Sequence, residues 1–129
     1  MLSRVLIAED DDSNLEFLVQ AVRDADTDVV AVSSGAELVA AMADGAVFDL
    51  IITDLMMPWM NGATVLRTMR NAGVRTPFVV VTGMDPASVD RLLDRLDGVT
   101  VLRKPVLLAE LRAVVRTLLP DTRSVSPAG

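Results

Sequence analysis

Short apolar runs alternate along this chain with stretches in which apolar residues recur every three or four positions. The runs are Val5-Leu6-Ile7-Ala8, Asp28-Val29-Val30-Ala31-Val32, Leu50-Ile51-Ile52-Thr53, Phe78-Val79-Val80-Val81-Thr82 and Val99-Thr100-Val101-Leu102. Three are nearly unbroken and β-branched, as expected of parallel strands buried on both faces. Between and after the runs, helical spacing places Leu15, Leu18, Val22 and Ala25 on one face. Val89, Leu92, Leu93 and Leu96 share a second face, and Leu107, Leu108, Leu111, Val114, Val115 and Leu118 form a third stripe. Start signals agree with this reading. Ser13 with Glu16, and Ser34 with Glu37, fit a capping box. Asp85-Pro86 places a capping carboxylate before a proline at the first helical position. The pattern is a β-α unit repeated five times, which predicts a parallel sheet with helices on both faces. The stretch Pro120–Gly129 has no periodicity and reads as a tail or the start of a linker.

Length and composition narrow the chemistry. The 129 residues, about half of them hydrophobic, suit one domain with a real core. Cysteine and histidine are both absent, which excludes disulfides, thiolate sites and the commonest zinc ligand and general base. Any metal must be held by oxygen, which points to Mg²⁺, Mn²⁺ or Ca²⁺. The net charge of −6 and the lack of a Lys/Arg cluster argue against direct nucleic-acid binding. No apolar run approaches a membrane span, and Met1-Leu2-Ser3-Arg4 leads into a strand rather than a signal peptide, so a cytoplasmic protein is expected. Lys104 is the single lysine.

In an open parallel sheet, ligands sit outside the carboxyl ends of the strands. Glu9, Asp10, Asp11 and Asp12 follow the first run, Asp54 follows the third, Thr82 ends the fourth, and Arg103-Lys104-Pro105 follows the fifth. Each has an ordinary reading when taken alone. Asp11 and Asp12 could be caps at a helix dipole, Asp54 a turn residue, Thr82 the end of a strand and Lys104 a solvated side chain. Together, at different strand ends, they describe a site. Clustered carboxylates repel unless a cation neutralises them or one is protonated, and an oxygen-only set with few protein ligands suits Mg²⁺. A carboxylate beside that ion can act as a nucleophile toward phosphorus, with a lysine and a hydroxyl holding phosphoryl oxygens.

These residues resemble the receiver domain of two-component response regulators. The likeness runs from about Arg4 to Leu119 and rests on four stretches: Val5–Asp11, Phe48–Pro58, Val79–Gly83 and Lys104-Pro105. It implies a flavodoxin-like (βα)5 three-layer sandwich with strand order 2-1-3-4-5, and a receiver domain over 1–119. It implies that Asp54 is the phosphoacceptor and Asp10 a direct Mg²⁺ ligand, with Mn²⁺ as an alternative ion. Glu9 would act through water, and the Met56 backbone carbonyl would be the third protein ligand. Thr82 would move toward the phosphoryl group, Lys104 would pair with one of its oxygens, and Lys104-Pro105 would be cis. The partners implied are a histidine kinase or phosphotransfer protein and a downstream output, with self-association through the fourth helix, fifth strand and fifth helix. The start at Met1 favours an N-terminal or stand-alone regulator over the C-terminal receiver of a hybrid kinase.

Several positions depart from the family pattern. Val101 replaces the usual aromatic three residues before the lysine, which puts the threonine–aromatic coupling in question. Trp59 replaces a glycine in the loop after Asp54, where it covers the pocket rim, forms part of a partner surface or simply packs on the loop. Met56 and Met84 flank the expected site, and two apolar side chains there predict slow acyl-phosphate hydrolysis, a prediction that an unchanged lifetime in Met84→Asn would overturn. Two other readings compete. A pseudo-receiver would signal by protein contacts without phosphorylation, a reading that Val101 and Trp59 keep open and the intact acids, threonine and lysine oppose. A phosphohydrolase would need a second acid close after Asp54, where Leu55-Met56-Met57 stands. No glycine-rich loop follows the first strand, so a dinucleotide or flavin site is not supported.

Overall fold

The apolar runs become the five parallel strands of one sheet in the computed structural model, which describes residues 2–24, 26–43, 47–57, 60–94 and 96–119, residue 60 by its backbone only. The strands are β1 (Ser3–Ala8), β2 (Thr27–Val32), β3 (Leu50–Asp54), β4 (Phe78–Thr82) and β5 (Val99–Arg103). Their order is β2-β1-β3-β4-β5, as the resemblance implies. β3 and β4 are buried at every position, which is why their sequences run apolar without alternation. β2 and β5 form the edges and keep polar or half-exposed positions.

Alternate residues of the central strands feed two cores. Val5, Ile7, Ile52, Val79 and Val81 pack against α1 (Asp12–Val22) and α5 (Leu108–Leu118). Leu6, Ile51, Phe78 and Val80 pack against α2 (Gly35–Ala43), α3 (Gly62–Asn71) and α4 (Pro86–Leu92). The result is a three-layer sandwich. A short antiparallel pairing of Met56–Met57 with Met60–Asn61 links β3 to α3.

Several local expectations change. The Ser13/Glu16 box does not form: Asp11 is the N-cap of α1, its carboxylate accepting the Asn14 N–H at 2.9 Å. The acid one step outside the helix outcompetes the serine inside it, because only the extended residue can turn its side chain back onto the free N–H groups. Ser34 does cap α2, its Oγ accepting the Glu37 N–H at 3.1 Å, and the Glu37 carboxylate returns to the Ser33 N–H. Asp85 caps α4 with Pro86 in its first turn. Leu107 and Leu108 leave the expected α5 stripe and are 67% and 40% exposed. Leu107 is the extended residue before the helix, so packing begins one turn later, at Leu111 and Val115. α4 stops at Leu92, and Leu93 and Leu96 reach the core from the turn beyond it. Ala25, Trp59 and the 120–129 tail lie outside the described residues.

Strand register positions the rim. Ala8 lies level with Thr53, Asp54 with Val81, and Thr82 with Arg103. Glu9, Asp54, Thr82 and Lys104 therefore leave the sheet at the same edge, within two residues of one another.

Candidate functional site

Four of the expected residues converge. Asp54 ends β3 and is 8% exposed, and Glu9, one step past β1, is 1% exposed. Lys104, one step past β5, places its Nζ 2.8 Å from Asp54 Oδ2 and 3.0 Å from Glu9 Oε1. Its backbone N–H donates to the Thr82 carbonyl at 2.9 Å, so the position of the ammonium is tied to the end of β4. The Lys104-Pro105 peptide is cis. The other oxygens are also engaged: Met56 N–H donates to Asp54 Oδ1 at 3.1 Å, and Asp11 N–H to Glu9 Oε2 at 3.2 Å. Carboxylate oxygens of Glu9, Asp10 and Asp54 lie within 4.8 Å of one another, with Asp10 exposed.

The electrostatics follow from burial. Burial raises the Glu9 pKa above the usual carboxylate range, and this exceeds the lowering by the hydrogen bond from Lys104. Burial works against the Lys104 ammonium, yet the carboxylates of Asp54 and then Glu9 outweigh it and raise its pKa. One ammonium thus stands against three clustered acids, two of them buried. A set made only of carboxylate oxygens with uncompensated negative charge fits a hard divalent cation.

The remaining expected residues stand apart from this contact. Thr82 is buried at the end of β4, its Oγ1 accepting the Met84 N–H at 3.1 Å. Met56 meets Asp54 through its backbone, while its side chain is 56% exposed. Met84 is half-buried and packs against the α2–α3–α4 core. Val101 stands level with Val80 on the outer edge of β5 and is 39% exposed. Asp11, an expected member of the acidic run, serves as a cap, and Asp12 sits in the first turn of α1.

Sequence reading passed over Gly62. A Cβ there would stand 3.0 Å from the Asp54 carbonyl oxygen and 3.1 Å from Leu55 Cα, while Gly62 N–H donates to the Leu55 carbonyl at 2.9 Å. Only a glycine lets the start of α3 lie against the backbone of the central acid. The signal was the Asn61-Gly62 pair, a cap followed by a close approach: Asn61 Oδ1 accepts the Ala63 N–H at 2.9 Å.

Comparison with known proteins agrees with this geometry. Residues 5–116 match the family described as the response regulator receiver domain. The chain is 30% identical over 95% of its length to the transcriptional regulatory protein PcoR of Escherichia coli. It is 32% identical over 95% of its length to the sensory/regulatory protein RpfC of Xanthomonas campestris. It spans 54% of the first relative and 17% of the second. Among solved structures, the chemotaxis response regulator CheY4 of Vibrio cholerae superposes with a TM-score of 0.80 at 25% identity, covering 92% of this chain and all of that one. The receiver domain of the Luxo repressor protein of Vibrio parahaemolyticus gives 0.81 at 26% identity over 91% of this chain and 89% of that one. Among the described residues no helix is long and apolar enough to cross a membrane. Sheet order, acidic rim and sequence match together place this chain in the receiver-domain family of two-component response regulators.

Proposed function

We propose that this domain is a phosphorylation-dependent switch whose phosphoacceptor is Asp54. The observation that carries the reading is the Asp54 carboxylate at the strand rim, bridged to Lys104 at 2.8 Å and grouped with Glu9 and Asp10 within 4.8 Å. Asp54 attacks the phosphorus of a phosphohistidine on a kinase or phosphotransfer protein. The new O–P bond forms as the P–N bond breaks, and its electron pair returns to the imidazole. Glu9, Asp10, Asp54 and the Met56 carbonyl would hold Mg²⁺, with Mn²⁺ as a substitute. The ion, when bound, neutralises charge that develops on the phosphoryl oxygens. Lys104, 2.8 Å from Asp54, would pair with one of those oxygens, and Thr82 would offer its hydroxyl once it releases the Met84 N–H. The domain spans 1–119 and acts in the cytoplasm, with 120–129 as a tail or linker. Its output is a change at α4, β5 and α5 read by a partner, an output domain or a second copy.

Intact mass after incubation with acetyl phosphate tests this. A gain of one phosphoryl group that requires Mg²⁺ and vanishes in Asp54→Asn is expected. No gain in the native chain would refute the switch and favour a pseudo-receiver acting through protein contacts.

A further inference from the structure

Two arginines on α3, three residues apart, reach across to the segment between α4 and β5. Arg67 donates from Nη2 to the Leu92 carbonyl at 2.6 Å and from Nη1 to the Asp94 carbonyl at 3.2 Å. Arg70 donates from Nε to the Asp97 carbonyl at 3.0 Å and from Nη2 to Gly98 at 3.4 Å, while its Nη1 closes onto Val74 of its own segment at 2.9 Å. The Arg70 guanidinium also lies over the Phe78 ring, 5.4 Å from its centroid. Gly98 adopts φ +70°, and a Cβ there would stand 3.0 Å from Arg70 Nη2. The carbonyls of Leu92, Asp94, Asp97 and Gly98 lie at and beyond the end of a helix of only seven residues, too short to hold itself in water. The planar fork of arginine suits this task, since it can serve two acceptors at once.

The other end of α3 abuts the phosphoacceptor, through Gly62 packed on the Asp54 and Leu55 backbone. Both ends belong to one helix, α3, ten residues and about 15 Å long. We propose that α3 is the coupling element of this domain: Gly62 senses displacement of the β3 end, and Arg67 and Arg70 are positioning residues that transmit it to the α4–β5 segment. The inference rests on the reading of Asp54 as the site of modification. A displacement at Gly62 cannot be absorbed within the helix, so either the arginine–carbonyl bonds move α4 with α3 or they break and release it. Both results make the state of α4 depend on Asp54 through these two side chains.

Amide NMR of the full 129-residue chain, with and without Mg²⁺ and beryllofluoride, tests the proposal in the native protein, Arg67→Met and Arg70→Met. In the native chain, resonances near Asp54 (Met56, Gly62, Ala63) and beyond the clamp (Phe78, Leu93, Leu96) are expected to shift together. In Arg67→Met the near set still shifts, the Leu93 and Leu96 response falls below half of native, and hydrogen exchange at those amides quickens about tenfold before any addition. Arg70→Met does the same at Phe78, whose N–H bonds the Gly98 carbonyl. Arg67→Lys keeps the stem and charge without the fork, reads the same quantity if the methionine variant fails to fold, and is expected to fall between. A native-sized response at Leu93, Leu96 and Phe78 in the variants would overturn the coupling and leave the phosphorylation reading intact. No shift at Met56, Gly62 or Ala63 in the native chain would overturn both.

Discussion

Replacing Lys104 by methionine keeps the stem volume and removes the one cation that, among the described residues, touches both buried acids. Two charge-assisted bonds, at 2.8 and 3.0 Å, are lost. Breaking a fully buried pair costs about 3–5 kcal/mol, because the surviving charge is left without a partner. Here the Lys104 side chain is 29% exposed, so water reaches the vacated space and reduces that figure. Glu9, 1% exposed in the native chain, then keeps, among the described residues, only the Asp11 N–H, so most of the remaining cost falls on it. We expect a loss of about 2–3 kcal/mol in the absence of divalent ions. At a urea slope of about 1–3 kcal/mol per molar, the unfolding midpoint falls by about 0.7–3 M. The assay is urea unfolding followed by far-ultraviolet circular dichroism, in EDTA and again in excess Mg²⁺. A divalent ion placed among Glu9, Asp10 and Asp54 supplies the missing positive charge, so Mg²⁺ should stabilise Lys104→Met more than the native chain. A midpoint within about 0.3 M of native in EDTA would refute the account of the site as a charge cluster held by one lysine. Equal Mg²⁺ effects on the two proteins would refute the placement of the ion beside that lysine.

Three further outcomes follow from other contacts. Gly62→Ala forces a methyl against the Asp54 carbonyl and Leu55 Cα at about 3 Å, both backbone atoms that cannot rotate away, and should cost about 1–3 kcal/mol by the same urea titration. Leu38→Ala empties a fully buried position between α2 and the sheet and should cost about 3–4 kcal/mol, again read from the midpoint; a loss below about 1 kcal/mol would mean that α2 collapses onto the gap. The Asp85 carboxyl, held below its usual 3.8 by the Ser88 hydroxyl and then the Ser88 N–H, should titrate below that value by carbon-13 NMR. Because its folded pKa is depressed, its support of α4 is complete above pH 3.8 and disappears as pH falls through the lower folded value. A midpoint at or above 3.8 would remove Asp85 as the cap.

Much of this architecture was legible from residue order. Runs such as Phe78–Val81 are apolar without alternation because both faces of a central parallel strand are covered, and that requirement acts on every residue separately. The acids, Thr82 and Lys104 could be placed at strand ends for the same reason: a strand boundary is a local property, and the carboxyl edge of such a sheet is where ligands gather. Local pattern was a poorer guide at helix starts. Both Asp11 and Ser13 are capping residues, and the choice between them depends on where the chain leaves β1. Leu107 and Leu108 continue an apolar spacing, yet Leu107 is the extended residue before α5 and both are left exposed.

What the sequence alone determined is the inventory and its order: five β-α units, an oxygen-only acidic set and a single lysine. Tertiary structure decided which groups meet. Register brings Lys104 to 2.8 Å from Asp54 across fifty positions of chain and leaves the Thr82 hydroxyl with Met84. Packing presses Gly62 onto the Asp54 backbone and carries Arg67 and Arg70 to carbonyls more than twenty positions away. Helical and strand periodicity are set by neighbours a few residues apart, so they are written into short windows. Contacts between elements depend on sheet order, crossover and the depth at which each helix seats, which no short window contains.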